Sequence, residues 1–431
     1  MPAPSHSANG PQENAPQGTD QKAVVQKYGG TSVSSTDHIK AVAQRIATRV
    51  DEGDQIVAVV SAMGKTTDDL VALAREITDR PEGREYDMLL ATGEMVSASL
   101  LAMALRELGH PAIGLSGAQA GVYTDVTYNR ARITRIDTKR IHTELDRGRV
   151  VIIAGFQGIS PDDDVTTLGR GGSDTSAVAL AAALGAVRAE IYTDVDGVFT
   201  TDPRIEPRAR QLADITYEEM LELAAQGARI MHPRAVEVGL LYDIPILVAS
   251  SFKPDTPGTL IRKQVEMEPS NRVRAIALDT DVAAVTLRAV PDRPGIAGRL
   301  FGPLADAGVF VDTIVQNASA ERLTDLTFSV AHDQAAKASE IVTPLATEMG
   351  AGAVIVDEHL AKVSIVGTGM QSGVGYAATM FRALADAEVN IELITTSEIR
   401  ITALVHEDHA AAAVRVLHAA FQLDDPPPAP A

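Results

Sequence analysis

Of the 431 residues, none is cysteine. That excludes disulfides, thiolate metal sites and a cysteine nucleophile, and it fits a reducing compartment. Basic side chains are scarce beside acidic ones: 38 Lys and Arg against 57 Asp and Glu, for a formal net charge of −19. Such a surface does not attract nucleic acid or anionic membrane nonspecifically, although it leaves room for a local basic pocket around an anionic ligand. No apolar run reaches about 18 residues, the length that reads as a spanning helix, and the N-terminus lacks the basic-then-apolar pattern of a signal peptide. Neither nucleic acid nor membrane is expected as a partner, and the expected location is cytoplasmic. What is present is ordinary for a globular chain: 45% hydrophobic and 22% charged residues, with length for roughly two to four domains that each bury a core.

Strand-like and helix-like segments alternate over the first half of the chain. Residues 55–61, 149–154, 190–193 and 246–249 read as apolar strands, and 36–50, 68–78, 86–108, 173–184 and 217–226 as helices. Continuously apolar strands separated by helices predict a mostly parallel sheet covered on both faces, an α/β sandwich of three layers. Residues 1–22 and 424–431, rich in Pro and polar side chains, read as disordered tails. Residues 251–273 read as a linker after a domain over 23–250. Beyond the linker is an internal repeat: Phe301-Gly-Pro-Leu-Ala-Asp-Ala-Gly-Val309 recurs 80 residues later as Phe381-Arg-Ala-Leu-Ala-Asp-Ala-Glu-Val389, with six identities in nine positions. The surrounding pattern predicts two ferredoxin-like α+β modules, over 274–355 and 356–423.

Two glycine-rich turns carry the chemistry of the first domain. Lys27-Tyr28-Gly29-Gly30-Thr31-Ser32 follows an apolar strand, and Thr167-Leu168-Gly169-Arg170-Gly171-Gly172-Ser173-Asp174 precedes an Ala-rich helix. Each aims backbone N–H groups at an anion and each contains one cation. Lys27 is either a snorkelling surface lysine or a compact charge that follows a transferring phosphoryl group. Arg170 offers a planar fork for a carboxylate. Asp174 either caps the helix or holds Lys27 through an ion pair. In the polar loop from Thr193 to Arg204, Asp194 and Asp202 suit a ribose, a base or a metal ion, and Arg204 suits phosphate. Glu94 lies in an apolar helical run, where a carboxylate needs a partner, and a substrate ammonium is one candidate.

Three look-alikes carry less. Gly64-Lys65-Thr66 resembles the end of a phosphate loop, but Val59 stands where that loop requires glycine. Gly367-Thr368-Gly369 resembles a dinucleotide fingerprint whose third glycine, Gly373, comes one residue late. Asp162-Asp163-Asp164 reads as a solvated turn. A nucleotide would therefore bind by another scheme.

Taken together, Lys27-Tyr-Gly-Gly-Thr-Ser, Ser61-Ala-Met-Gly, Thr167-Leu-Gly-Arg-Gly-Gly-Ser-Asp174 and Thr193-Asp-Val-Asp-Gly-Val-Phe-Thr-Thr-Asp-Pro-Arg204 resemble the aspartate kinases, over about residues 23–423. The resemblance implies an amino-acid-kinase fold followed by two ACT domains. It implies ATP- and Mg2+-dependent phosphorylation of the side-chain carboxylate of L-aspartate, the first step towards lysine, threonine, methionine and isoleucine. It also implies roles for single residues. Lys27 would stabilise the moving phosphoryl group and Asp174 would orient Lys27. Arg170 and Glu94 would take the substrate's carboxylate and ammonium, with Thr67 and Ser173 completing that pocket. Tyr28, Gly29, Gly30, Ser61, Thr193, Asp194, Phe199, Thr200, Asp202 and Arg204 would line the ATP site beside Lys27. No residue is assigned as a metal ligand.

Three positions depart from the family's usual pattern. Lys65 stands where Asp or Asn is common, Arg229 where a lysine commonly meets ATP phosphate, and Gly373-Val374-Gly375 where His-Pro-Gly is common. In the repeat, Asp292, Gly295, Val311, Asp312 and Gln316 match effector-contacting positions of the first module, and Val389, Asn390, Ser397 and Glu398 those of the second. Lysine, threonine or both are the expected effectors, with a homo-oligomer formed through the ACT modules. Some members of the two-ACT bacterial type also make a shorter chain from an internal start, for which Met267 is positioned. Two other readings stay open: a kinase of another amino acid or of a nucleotide, and a non-catalytic amino-acid sensor. The latter would not need Lys27, Glu94, Arg170 and Asp174 together.

Overall fold

The computed structural model describes residues 23–228, 230–263, 273–317 and 322–424. Residues 1–22, 264–272 of the expected linker (Met267 among them), Arg229 and 425–431 lie outside the described residues. The linker expected over 251–273 is corrected where it is described, because Thr259–Arg262 pairs into the first domain's sheet.

Strands of wholly buried side chains, Val24–Tyr28, Ile56–Val60 and Val150–Ala154, lie side by side within an eight-stranded sheet. Across that sheet the order is Asp214–Thr216, Thr259–Arg262, Ile246–Ser250, Ala189–Thr193, Val24–Tyr28, Ile56–Val60, Val150–Ala154 and Ala112–Leu115. Only Ile246–Ser250 with Thr259–Arg262 is antiparallel; the other pairs are parallel. Because successive side chains point to opposite faces, the strands feed two cores. Val25, Val57 and Val59 pack with Ala177, Val178 and Ala181 of the helix Gly172–Leu184. Val24, Ile56, Ala58 and Val60 pack with Ile39 and Ile46 of the helix Thr36–Asp51 and with Leu101 and Leu105 of Thr92–Glu107. Each such fully buried Leu or Ile contributes roughly 1.5–3 kcal/mol. These are the three expected layers. A second sheet of four strands, Ile133–Ile136, Val122–Thr124, Gln157–Ile159 and Val165–Thr167, leads into the Arg170 turn.

One expected helix differs. The segment read as a single helix over 86–108 is two, Arg84–Leu90 and Thr92–Glu107, with Ala91 between them. Contrary to the expectation that no such stretch exists, Arg84–Glu107 is apolar and long enough at 24 residues to cross a membrane by length and composition. Half of its most apolar window is buried inside the fold, where Ala98, Leu101 and Leu105 serve the core beneath the sheet.

The repeat forms one antiparallel sheet of six strands, in the order Ile314–Gln316, Leu323–Val330, Ala275–Pro291, Val354–Val366, Arg400–His406 and Leu393–Thr396. The modules are interleaved rather than consecutive. Residues 275–279 pair with 362–366, while 282–287 pair with 354–360. Val273 and Ile276 pack with Val363, Ile365 and Met380, in the core of the second module. A first module starting at 274 is therefore corrected: the opening strand of that span belongs to the second module. The reason is geometric, since a strand of 17 residues spans both halves of a shared sheet.

Candidate active site

The carboxyl ends of neighbouring parallel strands define the site. Tyr28 is in register with both Val60 and Tyr192, Val60 with Ala154, and Ser250 with Thr193. Gly29, Ser61, Gly155, Thr193 and Ser251 therefore emerge at one edge, where open α/β sheets bind ligands.

Lys27, only 8% exposed, is the last residue but one of its strand, with its ammonium 2.6 Å from Asp174 Oδ1. Nothing else among the described residues contacts that oxygen. This decides between the two roles left open for Asp174. The helix Gly172–Leu184 is capped by Gly171 in a left-handed conformation without any side-chain cap, and Asp174 instead pairs with Lys27. Gly29 is glycine for a local reason, because a Cβ there would approach Lys27 Nζ to 3.3 Å. At Gly30 a Cβ would meet the Ala62 carbonyl at 3.0 Å, so the turn lies directly on the Ser61–Gly64 loop, with the Gly64 amide donating to Gly30 O at 3.0 Å.

Glu94 sits in the first turn of Thr92–Glu107, 3% exposed. Its Oε1 accepts from the Ala62 amide at 3.1 Å, while Oε2 is buried with no partner. Burial pushes this carboxyl up to about 7, against two backbone hydrogen bonds that lower it. A half-satisfied buried carboxylate is unfavourable alone and suits a ligand ammonium. Thr67 is half-buried near the start of the neighbouring helix Thr66–Ile77, and Gly93 packs against Ala62 and Thr66. Arg170 is exposed in the glycine turn, with no acidic partner among the described residues. Ser173 is buried beside Gly155, where a Cβ would approach Ser173 Oγ to 3.0 Å. Lys65 is exposed.

Some expected ATP-site residues are placed elsewhere. Tyr28 is 0% exposed, stacked on Tyr192 at 5.0 Å and donating to Gln26 Oε1. Its side chain belongs to the core, and burial raises its hydroxyl well above the usual tyrosine value. Thr200 is also fully buried. Its hydroxyl meets His418 Nε2 at 2.9 Å, and its carbonyl accepts from Ile276 N at 2.7 Å, so it joins the catalytic domain to the second module. Asp202 and the exposed Arg204 pair with each other at 2.7 Å, which holds the Asp202 carboxyl below its ordinary value. Phe199 is half-buried and bridges to Gln211 through its backbone. Thr193 and Asp194 remain at the strand end, with Thr193 Oγ1 donating to Asp194 at 3.1 Å.

Other contributors went unread in the sequence. His232 packs beneath Gly171, where a Cβ would come within 2.2 Å of its ring. Burial lowers its pKa, against Asp174, which raises it, and its Nδ1 accepts from Arg234 N at 3.3 Å. Arg45 lies over the Tyr192 ring at 4.6 Å and donates to the carbonyls of Ser250 and Ser251. The one sequence signal was His232-Pro233 at a helix start.

In the regulatory half, Gly295 and Gly375 cap equivalent helices with φ of 92° and 98°. Asp292, Asp312, Gln316, Asn390, Ser397 and Glu398 are exposed and Val311 is half-buried. Val389 is a core residue of the second module, not a surface contact. Asp312 accepts from the buried Lys362 at 2.8 Å.

Comparison with known proteins gives this geometry a family. The amino acid kinase family profile matches residues 22–250, and two ACT domain profiles match 285–345 and 363–421. The aspartate kinase of Pseudomonas putida is 47% identical over 404 residues, which are 94% of this chain and 98% of that one. The chain belongs to the aspartate kinase family. Two solved family structures share its fold. Aspartokinase III of E. coli in complex with aspartate and ADP superposes with a TM-score of 0.76 at 28% identity, over 93% of this chain and 99% of that one. The same enzyme in complex with lysine and aspartate gives 0.73 at 29% identity, over the same shares. As an aspartate kinase with ACT domains, the chain is a nucleotide-dependent phosphotransferase under allosteric control.

Proposed function

We propose that this chain transfers the γ-phosphoryl group of ATP to the side-chain carboxylate of L-aspartate, giving ADP and 4-phospho-L-aspartate. The observation that carries this reading is the buried Lys27–Asp174 pair one glycine turn away from Arg170, together with Glu94, which is bonded to the Ala62 amide of the loop under Gly30 and has one oxygen without a partner. A reaction between two anions needs fixed positive charge more than a base, because the attacking carboxylate is already ionised. Lys27, held by Asp174, faces the phosphoryl group. Arg170 and Glu94 bind the amino acid's carboxylate and ammonium, and Thr67 and Ser173 close the pocket. Gly29, Gly30, Ser61, Thr193 and Asp194 line the nucleotide side, with Asp202 and Arg204 further along its loop.

No group of three metal-ligating side chains occurs among the described residues. Mg2+ carried largely by ATP phosphates needs only one or two protein carboxylates, and Asp194, exposed at the strand end and accepting from Thr193 Oγ1 at 3.1 Å, would supply one. The ion would neutralise phosphate charge.

Lysine is proposed as an effector of the ACT modules, supported by the lysine-bound relative, and threonine as a second. A homo-oligomer formed through these modules, a shorter chain from Met267 and a cytoplasmic location complete the proposal. The test is formation of acyl phosphate from ATP, Mg2+ and aspartate, trapped as the hydroxamate. Lys27→Ala should lose on the order of 10²–10³ in turnover, as expected for one electrostatic donor. Near-normal turnover with an intact fold would sink the assignment.

A further inference from the structure

Asp87 belongs to no motif, yet it is among the most completely buried charged groups of the chain, 0% exposed in the short helix Arg84–Leu90. Its oxygens accept from Thr167 N at 2.6 Å, from Thr167 Oγ1 at 2.8 Å and from Asn129 N at 3.0 Å. No cation contacts it among the described residues. Burial raises its pKa, and these three donors pull it back.

Both of its partners border the Arg170 turn. Thr167 ends the strand that feeds the turn. Asn129, itself at φ 67°, presents its carbonyl under Gly169, where a Cβ would come within 2.8 Å of it. The next groups are fixed as well: Leu168 N donates to Phe156 O at 2.8 Å, and Leu168 O accepts from Arg234 at 2.6 Å. Arg170 is the first side chain beyond this clamp. It is exposed and has no acidic partner among the described residues, so its aim depends on the backbone beneath it. The helix of Asp87 also runs through Ala91 into the helix that carries Glu94.

We propose that Asp87 is a positioning residue for aspartate binding: it fixes the distance between Arg170, which takes the substrate carboxylate, and Glu94, which takes the ammonium. The proposal rests on the function given above. A carboxylate is required there because every neighbour is a donor, and an amide would turn an N–H against one of them.

The test uses the full-length chain with separate titrations of aspartate and ATP. Asp87→Asn should raise KM for aspartate about tenfold or more, the scale of one buried donor left unpaired, with KM for ATP and kcat within about twofold. Thr167→Val, a milder change, should raise KM for aspartate about threefold. In an Arg170→Ala background, Asp87→Asn should add less than about twofold, because groups acting as a unit are not additive. An unchanged KM for aspartate in both single variants, or equal losses in both backgrounds, overturns the proposal. If Asp87→Asn does not fold, an unchanged KM in Thr167→Val overturns it alone. Absence of acyl phosphate from the unmodified enzyme would instead refute the function itself.

Discussion

The Arg170 turn, fed by the four-stranded sheet, and the loop that begins at Thr193, which leaves the eight-stranded sheet, are fastened to different bodies. The Arg170 turn is held by Asp87, Asn129, Arg234 and Phe156, all inside the catalytic domain. The other loop is held from outside. Thr200 bonds His418 and Ile276, Ile205 O accepts from Arg415 at 3.0 Å, and Arg208 meets Asp424 at 3.0 Å. The helix Tyr217–Ala225 adds Glu219 with Thr368 and Glu222 with Arg400. The proposed amino-acid side of the cleft is thus fastened within the catalytic domain, whereas the proposed nucleotide side is shared with the second regulatory module. On the proposed assignment, a displacement of that module is expected to act first on nucleotide binding, read as a shift in KM for ATP.

The largest expected effect tests the bond between the two sides. Asp174→Ala leaves the Lys27 ammonium buried without a partner, a loss on the order of 3–5 kcal/mol when a buried pair is broken. Turnover should fall at least as far as for Lys27→Ala, and equal activity with an unchanged melting temperature would show that the pair is incidental.

Glu94→Gln probes the amino-acid side alone. KM for aspartate should rise about thirtyfold or more, since truncating a buried charge partner costs about 2–5 kcal/mol, while KM for ATP stays put. The sign of the pH dependence follows from the raised pKa of about 7. Below that pH the empty site holds a proton that the ammonium must displace, so KM for aspartate should fall as pH rises towards 7 and level off above it. The variant should show no such slope. The same proton makes a stability contribution that is complete below the unfolded carboxyl value and is lost as pH rises through about 7, readable as a lower melting temperature.

Thr200→Val probes the shared side. It orphans a buried contact worth about 1–3 kcal/mol, and a KM for ATP and a half-inhibitory amino-acid concentration shifted about three- to tenfold are expected, with KM for aspartate unmoved. An equal shift in both KM values would erase the distinction between the two sides. Arg204→Ala should do least, under about threefold in KM for ATP, because water screens an exposed pair of this kind. A hundredfold loss would mean that Arg204 leaves Asp202 to grip phosphate.

Much of this was legible in the sequence, and the failures share a cause. The apolar runs 55–61 and 149–154 announced buried parallel strands because hydrophobic continuity reports burial directly. The glycine motifs located Lys27, Arg170 and Asp174 because close backbone approach leaves no alternative residue. Motif membership does not say which way a side chain points, however. Tyr28 and Thr200 lie inside recognised stretches and face the core and the second module, respectively. Asp87 sits in an unremarkable run and acts through residues 42 and 80 positions away, a separation no local pattern records. The strand 275–279 was assigned to the nearer module, because periodicity fixes a strand but not the neighbour it pairs with.

That crossed strand also sets a timetable for synthesis. The second module receives its first strand at 275–279 and its last described helix only at Ala410–Ala420, more than 130 residues later. The first module is complete once residues 354–360 have emerged. On the ribosome the first module is expected to close while the second waits, its opening strand unpaired for more than 80 residues. The loop of Thr200, bonded to Ile276 and His418, is therefore expected to take its final form only once residue 418 has emerged. An enzyme built in this order gains its regulator and its nucleotide grip at the same moment.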